Sequence, residues 1–204
     1  MGVLNVIKGK WDGKVGQLVG AKWKNLATLR AYAKPSNPNT EKQQTVRTVF
    51  KDMTSFTSLF TDMIKYLTSL DTRGQSVRNA ILKINKAQVD AGTFDKTTLL
   101  VNKGGLPNVT GFTVGTVTAG SAFDCTFTAP VATNITSKAK IVVVAVDGEN
   151  KIAGVGDALL SAGTVNVNIS PVTGGTLDIY YWIIDYRGSS RVGSYSGYTS
   201  KAVS

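Results

Sequence analysis

Histidine is absent from the chain. With it go the Ser-His and Cys-His nucleophilic schemes and the commonest side-chain ligand of transition metals. Cysteine occurs once, at Cys125, which rules out an internal disulfide and points to assembly in a reducing compartment. Cys125 itself reads as a small buried hydrophobe on a strand. There is no GxxxxGKS or GxxxxGKT phosphate loop, and no dinucleotide-type glycine fingerprint opens a helix. Gly9, Gly13, Gly16 and Gly20 are closely spaced, but their neighbours are too polar for a membrane dimerisation face and turns account for them better. Long apolar runs are also missing, since Ile141 to Val146 and Ile179 to Ile184 have strand length and fall far short of a bilayer span. The opening MGVLNVIKGKW lacks the apolar core of a secretory signal, and Val6 breaks the myristoylation pattern. Carboxylates for a glycosidase-type pair are conceivable among Asp147, Glu149, Asp157 and Asp185, yet these lie mostly at expected turns, where acids are ordinary. These absences predict a protein that is not an enzyme, with no cofactor, no metal, no membrane segment and no small-molecule substrate.

What is present is an uneven charge on a globular composition. An apolar fraction of 42% with 18% charged residues lies in the range of folded domains. Residues 1–105 carry 13 Lys and 4 Arg against 7 acids, a net +10, whereas residues 106–204 are neutral. Such a field attracts an acidic partner, whether nucleic acid, an anionic surface or an acidic protein groove. The excess is densest between Gly9 and Phe50, where Trp11, Trp23 and Tyr32 are interleaved with Lys14, Lys22, Lys24 and Arg30, and Arg47 follows on the next helix. These eight residues are the candidate interface. Trp11 and Trp23 have two readings: they pack the segment on the following helix, or they anchor it in a neighbouring subunit.

Periodicity gives an α+β protein in two domains, 1–105 and 106–204. Residues 3–34 predict a small β-hairpin or extended arm, with Asp12-Gly13 as a turn. Thr40 to Gln43 fits a capping box after Pro35 and Pro38. Apolar residues from Val46 through Phe50 to Leu70 then predict one unbroken helix of about 45 Å. A second helix over residues 75–91, capped by Gly92, completes a helical hairpin whose Lys51, Lys65, Lys83 and Lys86 read as solvated. Gly104, Gly105 and Pro107 mark the expected boundary. Beyond it, strands near 109–118, 122–128, 139–147, 151–159, 163–169, 176–186 and 191–202 predict an immunoglobulin-like antiparallel β-sandwich with Trp182 as its core aromatic.

GKVGQLVGAKWKN, then Arg30, then NPNTEKQQTVRTVF, resembles the N-terminal signature of an uncharacterised protein family found in Bacteroidota genomes and their phages. The ending TLDIYYWIIDYRGSSRVGSYSGY is similar to that family's closing hairpin, although Asp185-Tyr186-Arg187-Gly188 departs from its usual turn. The resemblance implies a helical part followed by an immunoglobulin-like domain, phage association and no known enzymatic activity. The leading expectation is a structural virion protein, assembled in the bacterial host cytoplasm. It would be a head decoration, connector or tail-ring subunit that forms homo-oligomers and docks on neighbouring virion proteins. Nucleic-acid binding by the same basic aromatic segment is the alternative. A third reading, carbohydrate binding through Tyr195, Tyr198 and Trp182, requires those aromatics to be exposed.

Overall fold

The computed structural model describes residues 13–23, 26–34, 39–59, 61–64, 69–70, 74–169 and 174–204. The chain forms two compact units, Met1–Thr40 and Glu41–Ser204. The fold is α+β, with an N-terminal sheet, a helical layer and two antiparallel sheets arranged as a sandwich.

In the first unit, β1 (Gly13–Val15), β2 (Leu18–Trp23) and β3 (Leu26–Ala31) form an antiparallel meander. The expected hairpin therefore gains a third strand. Its first turn is Gly16-Gln17, with Gly16 at φ 59°, a value that glycine adopts without a Cβ penalty. Beyond the end of β3, the amide of Tyr32 donates to the Gln17 carbonyl at 2.6 Å.

The second unit opens with α1 (Glu41–Ser58), which starts one residue after Thr40. It does not run unbroken to Leu70: after Ser58 the chain turns at Leu59, and a separate helix, α2, covers Thr61–Ile64. The break falls in a hydroxyl-rich stretch. Thr57, Ser58 and Thr61 donate to the carbonyls of Met53, Ser55 and Thr57 at 2.8, 2.7 and 2.6 Å, and such back-bonding competes with the helix ladder. The second expected helix is also divided, into α3 (Val77–Ile84) and α4 (Lys86–Ala91). Ser76 caps α3 through the Asn79 amide, and Gly92 closes α4 in the left-handed conformation. At the break, buried Asn85 commits its side-chain amide to the backbone, donating to the Ile81 and Leu100 carbonyls and accepting from the Leu100 amide.

The strands follow the turn signals closely: β4 (Thr110–Val114), β5 (Phe123–Thr128), β6 (Lys140–Asp147), β7 (Ile152–Leu159), β8 (Thr164–Val167), β9 (Thr176–Arg187), β10 (Ser190–Gly193) and β11 (Gly197–Ala202). The expected last strand, 191–202, is thus two strands, both paired with one edge of β9. One sheet runs β10-β9-β6-β7 with β11 also on β9, and the other runs β4-β5-β8. This partition is compatible with an immunoglobulin-like sandwich.

Strands β6 and β9 are buried on both faces, which is why they read as continuous apolar runs. On the inner face, Ile141, Val143, Leu177, Ile179 and Ile183 pack with Phe123, Cys125 and Val165 of the other sheet. On the outer face, Val142, Val144, Tyr180, Trp182 and Ile184 pack with Met53, Phe56, Ile64 and Ile81. Trp182 is fully buried, but on the helical side of the sheet and not in the sandwich interior.

The segment expected to mark the domain boundary is instead woven into the sheet edge. Asn102 is fully buried; it accepts from the amide and hydroxyl of Ser69 and donates to the Ser194 carbonyl at 2.8 Å. The Ser196 amide donates to the Asn102 carbonyl, and the Leu106 amide donates to Gly193. A Cβ on Gly104 would lie 1.8 Å from the Gly193 oxygen, so backbone passes directly over backbone here. Residue 105 consequently does not separate two units; the helices and sandwich share one core, and the division falls at Thr40.

Candidate docking surface

The register of the N-terminal sheet gathers part of the basic aromatic set. Lys14 pairs with Val19 and Val19 with Arg30, while Ala21 pairs with Thr28 and Trp23 with Leu26. Because strand positions alternate between faces, positions 14, 23 and 30 share one face of the sheet. Lys22 pairs with Ala27 and belongs to the opposite face, with Leu18 and Leu29. Arg30 is exposed, and Tyr32, just beyond β3, is 45% exposed. Trp11 and Lys24 lie outside the described residues. Residues 1–40 hold seven basic side chains and one acidic, a net +6, so most of the chain's charge excess belongs to this small unit. Arg47 belongs to the second unit, exposed on α1.

The helical layer presents a feature that sequence patterning had assigned otherwise. Helix α1 turns Val49, Met53 and Phe56 inwards, but Phe50 is 48% exposed. With Leu82 and Val89 it floors a shallow groove of about 350 Å³, bordered by Lys83, Lys86 and Asp90. One turn back along α1, a second depression is lined by Lys42, Gln43, Val46 and Arg47. Lys83 and Lys86 are solvent-exposed as expected, yet they wall an apolar floor. The signal available in sequence was the adjacency of Val49 and Phe50, two neighbours that one helix face cannot bury equally.

The four candidate acids are not brought together. Asp147 closes the β6–β7 hairpin, accepting from the Glu149 and Asn150 amides at 3.0 Å and from the Asn150 side chain at 2.7 Å. Asp157 pairs with Lys140 at 2.6 Å. Asp185 is fully buried and accepts from the Thr136 amide, the Thr136 hydroxyl and Arg187 Nε. Burial pushes its carboxyl upward, but the Thr136 bonds and the Arg187 guanidinium outweigh that and hold it below the ordinary value. Since Lys140 pairs with Ile184 and Val146 with Asp178, Asp147 and Asp185 stand at opposite ends of the sheet, roughly 26 Å apart at ~3.3 Å per residue. A glycosidase pair needs a separation below about 10 Å.

The aromatics of the carbohydrate reading do not form a platform either. Trp182 is buried, Tyr198 donates to Asp178 at 2.8 Å, and Tyr195 is 49% exposed. Asp178 also receives Lys96 at 3.0 Å, and the Tyr180 hydroxyl donates to the Lys96 carbonyl at 2.9 Å. This network ties the segment after α4 to β9 and β11. Burial, with the Asp178 carboxylate beside it, pushes the Tyr198 hydroxyl up to about 12. Burial, with Asp124 adjacent, does the same to the Cys125 thiol, up to about 12, so that thiol is inert. Among the described residues no cluster of acids and cysteine is arranged to hold a metal ion, and no helix is long and apolar enough to cross a membrane.

No curated protein and no solved structure matches the chain. A family model, described as a family of unknown function and designated DUF6266, matches residues 9–197. That span takes in the basic sheet, the helical layer and the sandwich up to the first residue of its last strand, and the chain therefore belongs to the DUF6266 family.

Proposed function

We propose that the chain is a non-enzymatic structural subunit of a bacteriophage particle, a head-decoration, connector or tail-ring protein that docks through its basic N-terminal unit. The observation that carries the docking role is the register that places positions 14, 23 and 30 on one face of a unit with net charge +6. Aromatic and arginine side chains are the favoured anchors of protein interfaces, and a cationic face selects an acidic neighbour and speeds its capture. The virion setting rests on the similarity of both ends of the chain to a family of Bacteroidota genomes and phages. Symmetric assembly of many copies is the ordinary way in which such a subunit acts.

The test is the solution mass of the full chain by size-exclusion chromatography with light scattering, alone and with a double-stranded DNA fragment at physiological salt, joined to a search for the protein in purified particles. A discrete species that ignores DNA, found in particles and lost from them on Arg30→Glu, supports the reading. A DNA complex that withstands that salt replaces it with nucleic-acid binding, in which Lys14 and Arg30 contact phosphate and Trp23 stacks on bases.

A further inference from the structure

The exposed face of the helical layer has the chemistry of a second docking site, built from residues other than those of the N-terminal sheet. Its floor is apolar, formed by Phe50, Leu82 and Val89, and its border carries Lys83 and Lys86. The floor continues one turn along α1 to Val46, flanked by Lys42 and Arg47. Of the acids on α1, α3 and α4, Asp90 alone lines these two depressions, and it is ion-paired with Lys86. The lining as a whole is therefore net cationic.

We propose that this groove receives an acidic amphipathic helix of another protein. Apolar residues at i, i+3 or i+4, and i+7 of the ligand would seat on Val46, Phe50, Leu82 and Val89, and flanking carboxylates would meet Lys42 and Lys83. Helix-in-groove recognition uses that spacing, and α1, with 18 residues, offers about 27 Å of length. Three considerations select this occupant. A cationic border favours an acidic ligand. An apolar floor is satisfied by aliphatic side chains, which a phosphate backbone lacks. The helices α1, α3 and α4 of a second copy carry net charges of +1, +2 and 0, so none of them is the acidic ligand that this border favours.

The full-length protein is titrated into a fluorescein-labelled designed peptide of about sixteen residues, with Leu at the spacing above and Glu elsewhere, and binding is followed by anisotropy. Phe50→Asp and Lys83→Glu, both at exposed positions, should leave the melting temperature unchanged while each weakens binding by about tenfold or more. A peptide of the same composition with the Leu positions scrambled should not bind. No binding up to about 1 mM, equal binding of the scrambled peptide, or indifference to both substitutions overturns the proposal. Displacement of the peptide by a DNA duplex at equal charge overturns it in favour of a nucleic-acid surface. A concentration-dependent dimer that Phe50→Asp abolishes overturns it in favour of a second copy.

Discussion

Cutting the chain at the apparent linker should destroy the sandwich. The strands of residues 106–204 contain every element of both sheets, so a self-sufficient immunoglobulin-like domain would fold from that fragment alone. The structure predicts otherwise. Val142, Val144, Val146, Tyr180, Trp182 and Ile184 are at most 1% exposed and face the helices. Burying a side chain of this size contributes roughly 1.5–3 kcal/mol, so baring six of them removes on the order of 10 kcal/mol. A domain's whole stability is about 5–15 kcal/mol. The cut also removes Asn102 from the Ser194 carbonyl and Lys96 from Asp178, and it creates an apolar patch of the kind that drives association. Residues 106–204 and residues 41–204 should therefore be expressed in parallel and compared by size-exclusion chromatography, near-ultraviolet circular dichroism and amide NMR dispersion. The longer fragment should be folded and cooperative, the shorter one aggregated or lacking fixed side-chain signals. A monomeric 106–204 fragment that unfolds in a sharp transition would refute the shared-core reasoning.

Four further outcomes follow from particular contacts. Asn102→Ala leaves the buried Ser194 carbonyl and the Ser69 amide without their partner, and each unsatisfied group costs about 1–3 kcal/mol. The urea midpoint should fall by an amount equivalent to about 2–5 kcal/mol with the slope unchanged. Gly104→Ala sets a methyl 1.8 Å from a backbone oxygen that cannot move aside; thermal unfolding should show a loss larger than that of an ordinary surface substitution. Asp185 has a depressed carboxyl in the folded state, so its contribution is complete above the unfolded carboxylate value of about 4 and is lost as pH falls through the folded value. Asp185→Asn should lower stability at neutral pH and flatten the decline below about pH 4, as read by denaturant unfolding. Cys125, pushed up to about 12 and fully buried, should resist a thiol reagent at pH 8 in the native state and react at once in denaturant; rapid native labelling would place it nearer the surface.

The strands were legible because their punctuation is local. Asp147-Gly148, Gly163, Gly174-Gly175 and Arg187-Gly188 end or join strands where they stand, and Gly163, Gly174, Gly175 and Gly188 have positive φ. The second burial layer on β6 and β9 was not legible, since an apolar run of strand length does not say what covers each face. The run alone accordingly puts Trp182 in the sandwich, whereas its position on β9 faces the helices. The helix breaks were hidden for a related reason. The apolar stripe continues past Ser58 and past Asn85, but hydroxyl back-bonding and a buried amide committed to Leu100 are decided by competition that a stripe does not record. At the N-terminus, basic and aromatic content marked the right segment, while the grouping of Lys14, Trp23 and Arg30 depended on register. A turn at Gly16-Gln17 sets that register, and Asp12 of the expected Asp12-Gly13 turn lies outside the described residues.

Covering the central sheet on both faces also limits where the second unit can meet a partner. The outer face of β4-β5-β8 carries a single charged strand residue, Asp124, and is internally satisfied: Thr113 and Thr126 hydroxyls meet at 2.6 Å, and Asn166 donates to Asp124 at 2.8 Å. Cross-strand polar pairs of this kind stabilise a solvated sheet and leave little charge for a ligand to find. The hairpin ends are occupied too, by Asp147 at one and Asp185 at the other. The helical layer differs in both respects. It has an exposed aromatic ring, Phe50, and cations on either side of it. Substituting Phe50 or Lys83 removes no buried bond, whereas substituting the polar residues of the sandwich surface breaks the pairs that hold its strands. Charge reversal at Lys83 should therefore alter association without altering unfolding, while Asp124→Lys should lower stability through the lost Asn166 bond, and this contrast separates a docking face from a merely solvated one.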